Sequence, residues 1–251
     1  MRISFGKRIG LLRRAAACGL AALVLLSLGG CLYPDDHTPG GSASAREAVN
    51  AVQDAVDRYQ ASTGLLPIVT ADETVPIYEK YKVDLAKLQR MDYLGSIPRV
   101  AFENGGKDQF LLIDEETDPT VKLLDLTVYQ SASDVQKKVD EYVSKRGGEV
   151  PLGEQLYPGF YVLDFAKLGT GEPDIRSMFS GQSLAFLTDE QGTVYLDYGA
   201  DIATAAAKSE TDPGTYDDLR RLLAEASYYV PVKSPVYKWV EGAPQATREQ
   251  V

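Results

Sequence analysis

One pattern occurs twice in this chain, in the same order, and it restricts the fold more than any property of composition. Val52-Gln53-x-x-Val56-Asp57-x-Tyr59 recurs as Val135-Gln136-x-x-Val139-Asp140-x-Tyr142, with Gly64 and Gly147 closing both segments at the same distance. Tyr81-x-Val83-Asp84-Leu85-Ala86-Lys87-Leu88 recurs as Tyr161-x-Leu163-Asp164-Phe165-Ala166-Lys167-Leu168. Asp114-Glu115 and Thr120-Val121-x-Leu123 recur as Asp189-Glu190 and Thr193-Val194-x-Leu196. Self-similarity of this kind marks one supersecondary unit used repeatedly. The expected architecture is α+β: a tandem duplication of a helix plus antiparallel β-hairpin unit over residues 45–130 and 131–202, with an additional C-terminal helix and extended tail over 203–251. A helix with one apolar stripe and a hairpin packed across it is marginal alone, so the two copies are expected to cover each other. A binding surface is then expected at the seam between copies or beneath the tail that carries Trp239.

Local signals fill in the elements. From Ala45, Val49, Val52, Val56 and Tyr59 recur at three- and four-residue spacing while Glu47, Asp54, Asp57 and Arg58 take other faces, which predicts an amphipathic helix. Leu65-Leu66-Pro67-Ile68 leaves it extended. Phe110-Leu111-Leu112-Ile113 and Val121-Lys122-Leu123-Leu124 read as strands around the turn DEETDPT. The second helix is expected to start near Ser131 or Ser133, either of which can cap it. Leu184 to Leu187 and Val194 to Leu196 form the second hairpin around Thr188 to Thr193. An alanine-rich segment follows near Asp201 to Lys208, then a helix near Tyr216 to Ser227, and two prolines in YYVPVKSPVYKWVEG favour an extended tail.

The first fourteen residues carry five positive charges and no negative one, and the apolar run AAACGLAALVLLSL follows. This pattern is that of a secretory signal, and its apolar run is shorter than the roughly 20 residues that a spanning helix needs. Leu28-Gly29-Gly30-Cys31 behind it resembles the lipobox of bacterial lipoproteins. That resemblance implies cleavage of a signal peptide over residues 1–30, with a diacylglyceryl group on the Cys31 thiol and Cys31 as the mature amino terminus. Two acyl chains, palmitate among the usual ones, anchor stably where one is marginal. The expected location is the extracytoplasmic face of the cell membrane, with residues 31–44 as a flexible tether. Losing the leader removes five of 26 basic side chains and none of 36 acidic ones, which leaves a net charge of about −15. Such a surface repels phosphate, so nucleic acid is excluded as a partner.

The leader also takes Cys18 with it, leaving a lipidated Cys31 and no free thiol for a nucleophile, a zinc site or an internal disulfide. The single histidine, His37, lies in the Pro- and Gly-containing tether, where no rigid catalytic setting exists, so histidine-dependent triads and zinc sites fall away. No cofactor is expected. The densest acidic cluster offers Asp114, Glu116 and Asp118 as alternating oxygen ligands for calcium, but Pro119 stands where the EF-hand loop needs glycine. Calcium there is expected to be weak and dispensable for folding, and a solvated hairpin tip is the plainer reading. Carboxylate pairs for a hydrolase could be drawn from Asp84, Asp114, Asp164 and Asp197, although Asp84 and Asp164 hold equivalent places that suit a cap or turn. Tyr228, Tyr229, Tyr237 and Trp239 gather in the tail, where half-buried packing is expected before a stacking platform. Gly105-Gly106 lacks the Lys and hydroxyl residue of a phosphate loop and reads as a tight turn.

The lipobox with CLYPDD, then AVQDAVDRY, TGLLPI, PIYEKYKVDLAKL, AFENGG and DPTVKLLDL, resembles an uncharacterised lipoprotein family of Gram-positive bacteria. Members of that family are sometimes labelled binding components of ABC transporters, and the resemblance implies no particular ligand, reaction or catalytic residue. The helix followed by TG-x-LP resembles, over short stretches, the soluble part of type II secretion pseudopilins. The leading expectation is a non-enzymatic, lipid-anchored extracytoplasmic binding or interaction module with an envelope or transporter partner. The alternative is the solute-binding lipoprotein component of an ABC transporter, and the third is a cell-envelope hydrolase using paired carboxylates. Against the alternative stand hairpins where two-lobed binding proteins use crossover helices; a deep cleft between lobes is what favours it.

Overall fold

The computed structural model describes residues 39–69 and 71–248. The expected signal peptide, the expected lipidation position Cys31 and His37 lie outside the described residues.

The first repeat opens with helix α1 (Ala43–Thr63). Ser42 caps it by accepting a hydrogen bond from the Ala45 N–H at 3.2 Å, and Gly64 ends it with φ 71°, donating its own N–H to the Gln60 carbonyl. Ala45, Ala48, Val49, Val52, Ala55, Val56 and Tyr59 form its buried stripe. Strand β1 (Ile68–Val69), the single-turn helix α2 (Ile77–Lys80), β2 (Lys82–Val83) and α3 (Leu85–Arg90) follow, and then β3 (Asp108–Ile113) and β4 (Thr120–Asp125). The strands form an antiparallel sheet in the order β1-β2-β3-β4.

The second repeat restates this order with helix α4 (Leu126–Lys145), β5 (Leu152–Tyr157), β6 (Phe160–Leu163), the short α5 (Phe165–Leu168), β7 (Phe186–Asp189) and β8 (Val194–Leu196). Its sheet runs β5-β6-β7-β8, again antiparallel. Helix α4 starts upstream of both serines nominated for its cap. Asp125 caps it instead, its Oδ1 accepting from Thr127 N at 2.7 Å and Val128 N at 3.2 Å, while Ser133 Oγ donates to the Tyr129 carbonyl inside the helix. Burial of Val128 and Ala132 against the core outweighs the weak helix propensity of Leu-Thr-Val-Tyr. Each unit also holds a four-stranded sheet where a hairpin alone was expected.

A matched pair of side chains ties helix to sheet in both units. Gln53 Oε1 accepts the Val121 N–H at 2.7 Å, and its Nε2 donates to the Pro119 carbonyl and to Asp57. Gln136 does the same with the Val194 N–H at 2.6 Å, the Gly192 carbonyl and Asp140. Val52 and Val135, one residue before each glutamine, are 0% and 1% exposed. The link from helix to sheet is therefore the same in both units, as the repeated motif requires.

The β3–β4 pair is buried on both faces, which explains the unbroken apolar strand Phe110-Leu111-Leu112-Ile113. Phe110, Leu112, Val121 and Leu123 pack on the α1 stripe with Leu85 and Leu88. Leu111, Ile113 and Leu124 turn the other way into a larger core that contains Val135, Phe160, Phe186, Leu196, Leu223 and Tyr237. The C-terminal part supplies helices α6 (Gly199–Lys208) and α7 (Arg220–Ala226), the latter beginning later than Tyr216. The tail is a hairpin, β9 (Val236–Val240) with β10 (Ala243–Thr247), not a single extended run. Its turn residues Glu241 and Gly242 have φ 51° and 85°, as a type I′ turn requires.

Replacing Gln53 or Gln136 by Met removes the acceptor of a buried or partly buried strand amide, and each change is expected to cost about 1–3 kcal/mol. Urea unfolding of the two variants checks this, and similar losses are expected in both because the clamps match. A loss confined to one variant contradicts the equivalence.

Candidate functional site

The tail segment between α7 and β9 runs along both repeats. Leu123 N donates to the Tyr228 carbonyl at 2.8 Å and the Leu123 carbonyl accepts from Val230 N at 3.0 Å, while Leu196 N donates to the Lys233 carbonyl at 2.8 Å. Leu123 and Leu196 are the equivalent leucines of the two units, so one strap closes the same edge position twice.

Polar anchors fix the strap on each side. Tyr229 donates its hydroxyl to Asp108 Oδ2 at 2.9 Å. Tyr237 donates to Asp197 Oδ1 at 2.6 Å, where Tyr157 and the Gly199 N–H also converge. Burial, with the nearby carboxylate, pushes the Tyr229 and Tyr237 hydroxyls far above the usual tyrosine range, so both remain donors. Between them Lys233 takes a left-handed backbone, φ 52°. A lysine there costs on the order of 1–3 kcal/mol. Glu79 of α2 offsets this, its Oε1 accepting the Lys233 N–H at 3.2 Å and its Oε2 pairing with Nζ at 3.0 Å. The Lys233 ammonium also lies 4.5 Å from the Tyr129 ring centre.

A cavity of about 270 Å³ opens beside this ion pair. Pro76, Tyr78 and Glu79 of the first repeat line it, with Ala132, Ser133 and Gln136 of α4, Thr193 to Tyr195 of the second hairpin, and Arg220, Pro231, Lys233 and Ser234 of the C-terminal part. It thus lies at the seam between copies, against the strap and not beneath Trp239. Arg220 is 7% exposed. Its Nη2 pairs with Asp218 at 2.7 Å, its Nη1 donates to the Ser234 carbonyl at 3.1 Å, and its guanidinium sits 5.1 Å from the centre of the Tyr78 ring. Tyr78 is itself 7% exposed, and its hydroxyl makes no hydrogen bond to a described residue. Burial raises the proton affinity of that hydroxyl strongly, so it remains protonated. A second cavity of about 240 Å³ lies among Val75, Glu79, Lys80, Lys82, Leu124, Leu126 and Tyr129, so Glu79 borders both.

The residues nominated from sequence are placed elsewhere. Asp114 sits at the β3–β4 turn with φ 53°, its carbonyl accepting the Thr117 and Asp118 amides and its carboxylate 3.5 Å from Arg221. Glu116 and Asp118 are exposed, and among the described residues no group of three or more His, Cys, Asp or Glu side chains could hold a metal ion. Asp84 caps α3 through the Lys87 N–H at 2.8 Å, and Asp164 caps α5 through Ala166 N and Lys167 N at 3.0 Å each. Asp197 is the tyrosine anchor. The four carboxylates proposed for hydrolysis therefore serve four different local structures. Gly105-Gly106 forms the tight turn expected of it, and a Cβ on Gly106 would clash with the Val100 carbonyl. Sequence reasoning missed Tyr78, Glu79, Arg220 and Lys233; PIYEKY gives no sign that its glutamate is buried, because the partner lies 154 residues away.

Residues 45–125 match the model of the YphF family N-terminal domain. The match covers α1 through β4 and stops at the Asp125 cap, so what it recognises is the first repeat as a unit. No curated protein and no solved structure matches the chain.

Asp108 gives the strap a pH dependence. It is 2% exposed and its Oδ1 is buried without a partner, and burial pushes its pKa up to about 6, against the lowering effect of the Tyr229 hydrogen bond. The unfolded chain releases this proton near pH 4. The folded state therefore binds more protons between these values, so the contribution of Asp108 is full below about pH 4 and is lost as pH rises through 6. Across thermal melts from pH 4 to 7, Asp108→Asn is expected to gain in midpoint relative to the parent protein as pH rises. A constant difference between the two contradicts the assignment.

Proposed function

We propose that this protein is a solute-binding lipoprotein that serves an ABC transporter, held at the extracytoplasmic face of the membrane through Cys31 and taking its ligand at the seam between its two repeats. The seam cavity carries this reading: it is the place where both copies, the strap and buried charged side chains meet, and pockets of that kind are the usual ligand sites. The likeness to lipoproteins labelled as binding components of ABC transporters, and the match of the first repeat to the YphF family N-terminal domain, support the transporter role. The molecule does this with two antiparallel sheets, not with the βα lobes familiar from other binding proteins. No helix among the described residues is long and apolar enough to cross a membrane. Of the carboxylates nominated for a hydrolase, Asp84 and Asp164 cap helices and Asp197 anchors tyrosines.

Two measurements test this reading. Cys31→Ala is expected to move the protein out of the membrane fraction and to remove the acyl mass; a variant that stays membrane-bound with unchanged mass contradicts the lipid anchor. Cross-linking of the intact lipoprotein in its own membranes is expected to recover transporter permease subunits. Repeated recovery of other envelope proteins without a permease favours a general interaction module and overturns the transporter role.

A further inference from the structure

The walls of the seam cavity are charged but balanced. Glu79 is paired with Lys233 at 3.0 Å and Arg220 with Asp218 at 2.7 Å. A guest with a net charge would leave one charge uncompensated beside buried Glu79 and Arg220, at a cost. A guest carrying both signs meets a carboxylate at Glu79 and a cationic group at Arg220, whose guanidinium keeps N–H groups beyond those bound to Asp218 and the Ser234 carbonyl. Tyr78, on the cavity wall, adds a hydroxyl that makes no hydrogen bond to a described residue and can therefore donate to a guest. Ala132 and Val194 offer apolar wall between the polar groups. The volume, about 270 Å³, falls just below the ~300–1,000 Å³ usual for small-molecule sites, which suits a single small molecule and excludes a folded peptide.

We propose that the seam cavity binds a free α-amino acid as its zwitterion, the ammonium group on Glu79 and the carboxylate on Arg220 and the Tyr78 hydroxyl. This assignment rests on the seam being the ligand site. Lys233 then has a second role, since an ammonium arriving at Glu79 shares the carboxylate with it, and the strap position is coupled to occupancy.

The test uses the intact lipoprotein in detergent, titrated calorimetrically with each proteinogenic L-amino acid, with the N-acetyl and amide forms of any that bind, and with D-glucose as a neutral probe. At least one free amino acid is expected to bind, and capping either of its ends is expected to weaken binding at least about tenfold. Tyr78→Phe, which keeps the ring and its packing, is expected to weaken binding by about tenfold with little change in thermal midpoint. Capped forms that bind as well as free ones overturn the zwitterion assignment, and so does the absence of binding by every free amino acid. Glucose binding without amino acid binding overturns it too while leaving a seam site in place, and permease recovery by cross-linking judges the transporter role separately.

Discussion

The hydrogen bonds that Leu123 and Leu196 make to the strap hold the rest of the structure in place. Each leucine lies on the last strand of its sheet, where unpaired backbone groups would otherwise face solvent or another chain. A single segment, Tyr228 to Lys233, satisfies one position on each edge. The larger core then closes around Tyr237 and Leu223, which neither repeat could bury alone. The seam cavity exists because the strap bridges over the junction without filling it, leaving Arg220, Lys233 and Ser234 on its wall.

The duplication supplies a symmetrical scaffold, and the site comes from its one large departure from symmetry. In the second repeat β5 and β6 are joined by a tight turn in which Tyr157 pairs with Phe160 and Gly159 has φ 79°. In the first repeat the corresponding strands, β1 and β2, are separated by a longer excursion that includes α2. That excursion delivers Tyr78 and Glu79 to the seam, while the shared glutamine clamps keep both helices fixed to their sheets. The charged lining of the seam cavity thus lies where one copy differs from the other, while the matched glutamine clamps tie helix to sheet in both.

Much of this was legible from local pattern. The stripe Val49, Val52, Val56, Tyr59 has a single helical reading, and Asp84 and Asp164 cap helices as their equivalent places suggest. The α4 boundary was not legible, because Leu124-Asp125-Leu126-Thr127-Val128 continues a β-rich run and only the tertiary fold decides that Asp125 turns it into a helix. Strand β5 escaped notice because Leu152 to Tyr157 is mostly exposed and shows no apolar alternation. The seam side chains are the hardest class. Glu79, Arg220 and Lys233 look like solvated charges in sequence, yet Glu79 and Arg220 are buried and Lys233 half-buried against partners brought from distant parts of the chain.

The strap makes the two repeats one cooperative unit. Native-state hydrogen exchange at the Val121 and Val194 amides, the two accepted by the glutamine clamps, tests it most directly. If the account is right, both amides exchange only through global unfolding, with the same opening free energy and the same steep urea dependence. If one repeat opens at lower free energy with a shallower dependence while the other stays protected, the strap does not join them and the seam is no fixed site.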